Sequence, residues 1–321
     1  MSKAIVVHQA GGPEELRFED VPDPAPGPGE ARVRQTAIGV NFIDVYFRRG
    51  IYKSPQFPFV PGQEAAGVVD AVGPGVADLA VGDRVAYASL QGSYAEVRLA
   101  PAARLVKLPP GIDDRTAAAM MLKGMTAEYL LLRCARVARG DTILFHAAAG
   151  GVGSIACQWA RHLGARVIGT AGGAEKVARA ARVCDHVIDY DKEDIVARVK
   201  ELTGGAGVNA VFDGVGQRTF EASLASLAIR GILALFGQAS GSVAPLDPAV
   251  LARGSLFLTR PALGQYIAAR DELVTSATRL FEVVGSAVKI EVGQSYALRD
   301  AAAAHRDLEA RKTVGSTLLL P

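Results

Sequence analysis

Cysteine is scarce: Cys134, Cys157 and Cys184 are the only three in 321 residues. Their odd number and wide separation, with no CxxC or Cys/His spacing, exclude a disulfide framework and a zinc knuckle and fit a reduced, cytoplasmic protein. Long apolar runs are missing too. The most apolar stretch, 224–236, is interrupted by Arg230, so no segment reaches the ~18 residues of a membrane-span candidate. The apolar run near the N-terminus, Ala4-Ile5-Val6-Val7, is far short of a signal-peptide core. An excess of one charge is absent as well: 35 Lys and Arg against 33 Asp and Glu leave +2, and no basic aromatic stripe occurs, which argues against nucleic acid as the main ligand. None of the five histidines stands at metal-ligand spacing.

Glycine is abundant, 35 residues where about 7% is usual. Half of the chain is apolar and 21% charged, the balance of a globular enzyme. At roughly 150 residues per domain the length suggests two domains.

The first 110 residues read as β-rich, with short runs at 4–7, 31–36, 67–72 and 84–87 punctuated by Gly, Pro and Asp. The proline-rich tract 21–30 reads as a stiff loop between strands. From about residue 115 the pattern changes to helices alternating with single apolar strands. A helical stretch over 117–134 is expected to be interrupted near Gly124, followed by strands at 142–146, 166–170, 186–188, 209–213 and 231–236 and helices at 154–163 and 174–182. That βαβ succession predicts a doubly wound parallel sheet. A long helix within 265–284 and strands at 288–292 and 316–320 complete the reading, the last strands being expected to rejoin the N-terminal half.

After the strand ending at His146 come Ala147-Ala148-Ala149-Gly150-Gly151-Val152-Gly153 and a helix. A strand, a glycine turn and a helix in that order present free backbone N–H groups and a positive helix end to a pyrophosphate. The full GxGxxG pattern would put glycine at Ala148, so the match is incomplete. An NAD-preferring site commonly carries an acid about 20 residues further on. Here the next strand runs into Thr170-Ala171-Gly172-Gly173-Ala174-Glu175-Lys176, without an acid at its end. A carboxylate about 4 Å from a 2′-phosphate would cost on the order of 4 kcal/mol per charge pair. Its absence, with Lys176 following and Arg179 one turn on, favours NADPH; the alternative for Lys176 is a solvated helix lysine.

The chain resembles the zinc-independent NADPH:quinone oxidoreductases, the ζ-crystallin-like branch of the medium-chain dehydrogenase/reductase superfamily. The resemblance spans nearly all of it. Its carriers are Gly11-Gly12-Pro13-Glu14, Gly39-Val40-Asn41-Phe42-Ile43-Asp44, Pro61-Gly62-Gln63-Glu64-Ala65-Ala66-Gly67, Val81-Gly82-Asp83-Arg84-Val85, 147–153 and 308–315. It implies an α/β protein with a GroES-like β-barrel-type catalytic domain (1–122 and 263–321) and a Rossmann NADPH-binding domain (123–262), with the cofactor in the cleft between them. Zinc alcohol dehydrogenases of the superfamily have cysteine and histidine where Asn41 and Gln63 stand. Amides there, with Glu64 alone surviving, do not make a zinc site, so an intrinsically electrophilic acceptor such as a quinone is expected, acted on by proximity and orientation.

The resemblance assigns candidate roles. Asn41, Tyr46, Tyr52 and Gln63 would face the quinone, and Asn41, Phe42, Ile43, Asp44 and Val45 the nicotinamide. The alternatives are a turn-stabilising side chain for Asn41, surface or core aromatics for the tyrosines, and a hydrogen-bonded plug for Gln63. Thr126 and Tyr129 would face the cofactor, Glu128 standing where some relatives carry an aromatic. Gly150, Gly151 and Val152 would hold the pyrophosphate, and Gly172, Gly173, Lys176 and Tyr190 the adenosine phosphate. Gly214, Phe236, Gly237 and Ser240 would line the nicotinamide ribose, with Arg311 at the phosphate side or simply solvated. His146 reads as a strand-end residue. The family usually dimerises through the edge of its nucleotide sheet, to which 224–236 would contribute. Two rival readings stand beside quinone reduction: an NADPH-dependent enone reductase of the same fold, and a non-catalytic, crystallin-like nucleotide- or RNA-binding protein.

Overall fold

Short apolar and polar positions alternate through the first 110 residues, and a period of two sends every second side chain into one core. In the computed structural model, which describes residues 1–53 and 56–321, this stretch forms β1 (Ser2–Val6), β2 (Arg17–Val21), β3 (Glu30–Val40), β4 (Glu64–Val72), β5 (Arg84–Ala88), β6 (Val97–Pro101) and β7 (Val106–Lys107). Helix α1 (Phe42–Arg48) follows β3. On β3, Ala31, Val33, Gln35 and Ala37 are the inward positions, and the proline-rich segment before it is a loop.

Next come α2 (Asp114–Glu128), β8 (Thr142–Phe145), α3 (Gly151–His162), β9 (Arg166–Ala171), α4 (Ala174–Ala180), β10 (His186–Asp189), α5 (Ile195–Leu202), β11 (Val208–Asp213), α6 (Phe220–Ala225), β12 (Leu227–Leu235) and β13 (Phe257–Thr259). The remainder is α7 (Leu263–Tyr266), α8 (Arg270–Val284), β14 (Val292–Ala297), α9 (Ala301–Glu309) and β15 (Ser316–Leu320).

The chain divides into two units, Met1–Met125 with Ile267–Gly285 and Ile290–Pro321, and Thr126–Tyr266 with Ser286–Lys289. In the first, the main sheet runs β14-β15-β3-β4-β5-β7 with β6 also on β3, so the C-terminal strands close onto the N-terminal ones. Ile5, Val33, Ile38, Val69, Val85, Leu105 and Leu319 meet in its core. The second is a parallel sheet in the order β10-β9-β8-β11-β12-β13. That is the doubly wound order in which ligands sit at the carboxyl ends of the strands. Leu144, Ile168, Ile188, Val211 and Leu233 form its core.

Three local expectations are corrected. Helix α2 runs unbroken through Gly124, because that glycine serves packing: a Cβ there would overlap the Leu280 side chain of α8. Tyr129–Cys134 then continues as a π-helical turn. The helix expected over 265–284 is two pieces, broken before Arg270, where Ala269 is extended. The strand expected at 288–292 begins only at Val292, paired with Ser316. Lys289 needs no ladder, since its N–H and carbonyl are both taken by the Gln158 side chain, at 3.0 and 3.1 Å. Among the described residues no helix is long and apolar enough to cross a membrane.

Candidate active site

In the nucleotide unit the glycine turn links β8 to α3. The helix starts at Gly151 with Gly150 as its extended N-cap, so the first N–H groups, including those of Gly151 and Val152, have no intrahelical acceptor. A Cβ on Gly153 would lie 2.5 Å from the Ala147 carbonyl and 2.8 Å from Ala148 Cα, which is why that position must be glycine. Ala148 departs from the full glycine pattern, and Gly169 on β9 compensates: a Cβ on Gly169 would stand 2.8 Å from the Ala148 methyl. The cradle therefore suits a dinucleotide pyrophosphate despite the incomplete motif.

Strand β9 leads into Gly172 and Gly173, the latter the N-cap of α4 at φ +82°. A Cβ on Gly172 would overlap the Tyr190 ring and the Asp191 carboxylate, so Tyr190 lies directly against this turn. Lys176 is half-buried in the first turn of α4, while Glu175 is held by Arg179 at 3.4 Å. Arg218, which the sequence did not single out, sets its guanidinium 5.8 Å from the Tyr190 ring centre. Its signal was a basic residue in the loop leaving β11, a carboxyl end of the sheet.

The loops after β11 and β12 run backbone to backbone. Gly214 lies under Phe236, and a Cβ on Gly237 would meet the Gly214 carbonyl at 2.5 Å. Ser240 spends its hydroxyl within these loops, donating to the Val215 carbonyl at 2.8 Å and accepting from the Arg218 N–H at 3.0 Å. Beneath them lies a network that sequence reading missed. Buried Asp213 accepts from the Val215 and Gly216 N–H groups, from Thr219 Oγ1 and from Ser223 Oγ, at 2.7–3.0 Å. Ser223 Oγ is 2.9 Å from His146 Nε2, and Thr170 Oγ1 is 3.0 Å from His146 Nδ1. Burial pushes the His146 pKa below its ordinary value. With Ser223 donating to Asp213, this is a brace across β8, β9 and β11 and not a nucleophile triad. Tyr129, expected to face the cofactor, is buried with its ring stacked on Tyr266, 4.4 Å between centres at 14°. Thr126 is buried, and Glu128 is paired with Arg133 at 3.0 Å.

In the other unit Asn41 caps α1 and is buried. Its backbone N–H donates to Asp44 Oδ2 at 2.8 Å and its Nδ2 to Glu64 Oε1 at 2.9 Å. Glu64 is fully buried and also takes the Leu122 N–H at 2.6 Å and the Lys123 ammonium. Lys123 is another residue the sequence reading passed over; a lone lysine inside an apolar helix was the available signal. Asp44 and Val45, expected to line the nicotinamide, are turned inward, whereas Phe42 and Ile43 are partly open.

Asp44 ends a directed chain. Arg48, fully buried, can only donate, so Nδ1 of His305 accepts from it at 3.0 Å. His305 Nε2–H then donates to Tyr94 Oη at 2.9 Å, and Tyr94 to Asp44 Oδ2 at 3.0 Å. Glu309 closes the far end on Arg48 with contacts of 2.8 and 2.9 Å. Burial, with nearby Glu64, pushes Asp44 up to about 7 against the hydrogen bonds from Asn41 and Tyr94 and the pull of Lys123. Burial and the adjacent Arg48 charge press His305 down to about 3.

Tyr46 is buried and packs on half-buried Tyr52, ring centres 5.0 Å apart. Gln63 is buried, its amide donating to Gln91, which bonds the Val60 carbonyl at 2.9 Å. Arg311 is exposed on the turn after α9 at φ +57°. Among the described residues no group of three or more His, Cys, Asp or Glu is placed to hold a metal ion.

Residues 27–110 match the alcohol dehydrogenase GroES-like domain and residues 151–279 the zinc-binding dehydrogenase domain. The chain is 48% identical to a quinone oxidoreductase of Pseudomonas aeruginosa over 100% of both chains. It is 46% identical to a 2-haloacrylate reductase of a Burkholderia species, covering 100% of this chain and 99% of that protein. The structure of Escherichia coli quinone oxidoreductase complexed with NADPH aligns with a TM-score of 0.97 at 44% identity, covering 99% of this chain and 100% of that one.

Proposed function

The chain belongs to the quinone oxidoreductase family of the medium-chain dehydrogenase/reductase superfamily, and from that premise we propose that it is an NADPH-dependent quinone reductase. The observation that carries the reading is full-length identity of 45–48% to curated quinone oxidoreductases. The end of β9 at Ala171 without an acid, with Lys176 in the first turn of α4 and the neighbouring Glu175 drawn off by Arg179, supports the phosphorylated cofactor.

NADPH supplies the reducing equivalents when bound. The α3 N-terminus with Gly150, Gly151 and Val152 holds the pyrophosphate. Lys176 and Tyr190, beside Gly172 and Gly173, take the adenosine phosphate, and Arg311 adds charge there. The Gly214 and Phe236–Ser240 loops, braced by Asp213, shape the ribose side. Asn41, held by Asp44 and Glu64, fixes the carboxamide or quinone oxygen, with Phe42 and Ile43 beside it. Tyr46 and Tyr52 offer aromatic faces to a planar quinone. Gln63 keeps its pocket filled. Such a site works by proximity and orientation.

We also propose that the protein is a homodimer joined along β13. That strand ends the parallel sheet, and Phe257 (59% exposed) and Ile229 (79%) sit on it and on neighbouring β12. Three free cysteines, two of them buried, fit a cytoplasmic setting.

Purified protein is expected to oxidise NADPH faster on addition of 1,4-benzoquinone or 9,10-phenanthrenequinone than with an enone or a 2-haloacrylate. NADPH consumption indifferent to quinone overturns the reading, and faster turnover of the activated alkenes moves it to the C=C reductase suggested by the 46%-identical relative. Lys176→Ala is expected to weaken NADPH binding about fivefold and leave NADH unchanged, the scale of one partly exposed charge pair.

A further inference from the structure

Glu64 opens β4 with its carboxylate fully buried, and both oxygens are occupied: Oε1 by Asn41 Nδ2 and the Lys123 ammonium, Oε2 by the Leu122 N–H. The place is built for it. On β3, Gly39 leaves the room, since a Cβ there would overlap Glu64 Oε1 and the Ala118 carbonyl. Lys123 is itself buried, so two charges have left water together. Each such ion costs several kcal/mol to desolvate, and apolar residues of equal volume often stabilise a fold as well or better. The third member gives the pair a purpose. A carboxylate only accepts, so Asn41 must turn its NH2 toward Glu64, and the orientation of its amide is set from behind.

We propose that Lys123 and Glu64 are positioning residues: their buried ion pair fixes the Asn41 side chain in the orientation it presents to the reactants. The functional half of this inference rests on the assignment of Asn41 to the nicotinamide and quinone side. Its structural half does not.

Lys123→Met strands the Glu64 carboxylate without its cation and is expected to lose stability and activity together. Lys123→Met/Glu64→Leu removes both charges and the acceptor. Stability is expected to return in this double variant, while kcat with quinone stays about tenfold or more below wild type and the NADPH Kd moves less than about threefold, as for a misplaced reacting group. In cofactor-free protein, the Asn41 side-chain NH2 protons are expected to exchange slowly by NMR in the wild type and fast in the double variant. Recovery of kcat along with stability overturns the inference, as does equal exchange in the two proteins. If the double variant does not fold, Glu64→Asp decides: it keeps the charge but draws the acceptor back by one methylene from Asn41, and is expected to lower kcat about tenfold with the NADPH Kd little changed, whereas an unchanged kcat overturns the proposal. Wild-type protein without quinone-dependent NADPH oxidation defeats the functional reading alone, and the exchange measurement still decides whether the pair holds Asn41.

Discussion

In the unit that carries Asn41, buried Glu64 is matched by a buried ammonium; in the nucleotide unit, buried Asp213 is matched by backbone N–H groups, hydroxyls and, beyond them, a neutral imidazole. Lys123 answers Glu64, and Arg48 answers Glu309 directly and Asp44 through His305 and Tyr94. The first arrangement concentrates charge around one amide, where orientation is the product. The second spreads a single carboxylate over two loop N–H groups, where the shape of a backbone cradle is the product. The contrast teaches that a carboxylate can be buried in either currency, but only the ionic one leaves a whole charge exposed to loss when a partner is removed.

Arg48→Met tests the ionic side most severely. It takes from partly exposed Glu309 its nearer cation, leaving Arg49 at 3.9 Å, and removes the donor to His305 and to the Gly11 carbonyl, so a loss of about 3 kcal/mol or more is expected in chemical denaturation. A loss under about 1 kcal/mol would erase the contrast. Ser223→Ala probes the neutral side: His146 and Asp213 each lose one bond, and the expected cost is about 1–3 kcal/mol, smaller than for Arg48. A cost equal to that of Arg48→Met would show that hydroxyls carry as much as ions here.

Per unit of pH, titration gives a smaller effect than either substitution. His305 stands near 3 in the folded protein against an ordinary 6.5. As pH falls below 6.5 the unfolded chain takes up the proton first, so folding stability declines from there toward pH 3, by up to about 1.4 kcal/mol per pH unit. Asp44, raised to about 7 from 3.8, works the other way: its ionisation lags in the folded state, so its contribution is fully present below 3.8 and is lost as pH rises through 7. Comparing His305→Gln with wild type at each pH isolates the histidine, and the variant is expected to lose the acid slope. An unchanged slope would place the acid sensitivity elsewhere, with His146 in the other unit as the next group pressed down by burial.

The parallel sheet was legible because each of its strands is a short apolar run bounded by turn residues, and the α3 cradle because glycines cluster after one of them. Gly124 misled, since the same residue serves a helix break or a close neighbour, and only Leu280 tells which. The strand expected at 288–292 failed because Gln158 satisfies the Lys289 backbone from a distant helix.

From the amino-acid order alone came what local chemistry dictates: two architectures, a phosphate cradle, no acid at the end of β9, and amides at Asn41 and Gln63. The folded chain decided which distant groups meet. Lys123 finds Glu64 across 59 positions and Arg48 finds His305 across 257. Local periodicity reports only which way a side chain points from its own helix or strand, and pairing of buried charges depends on what lies opposite, which packing alone determines.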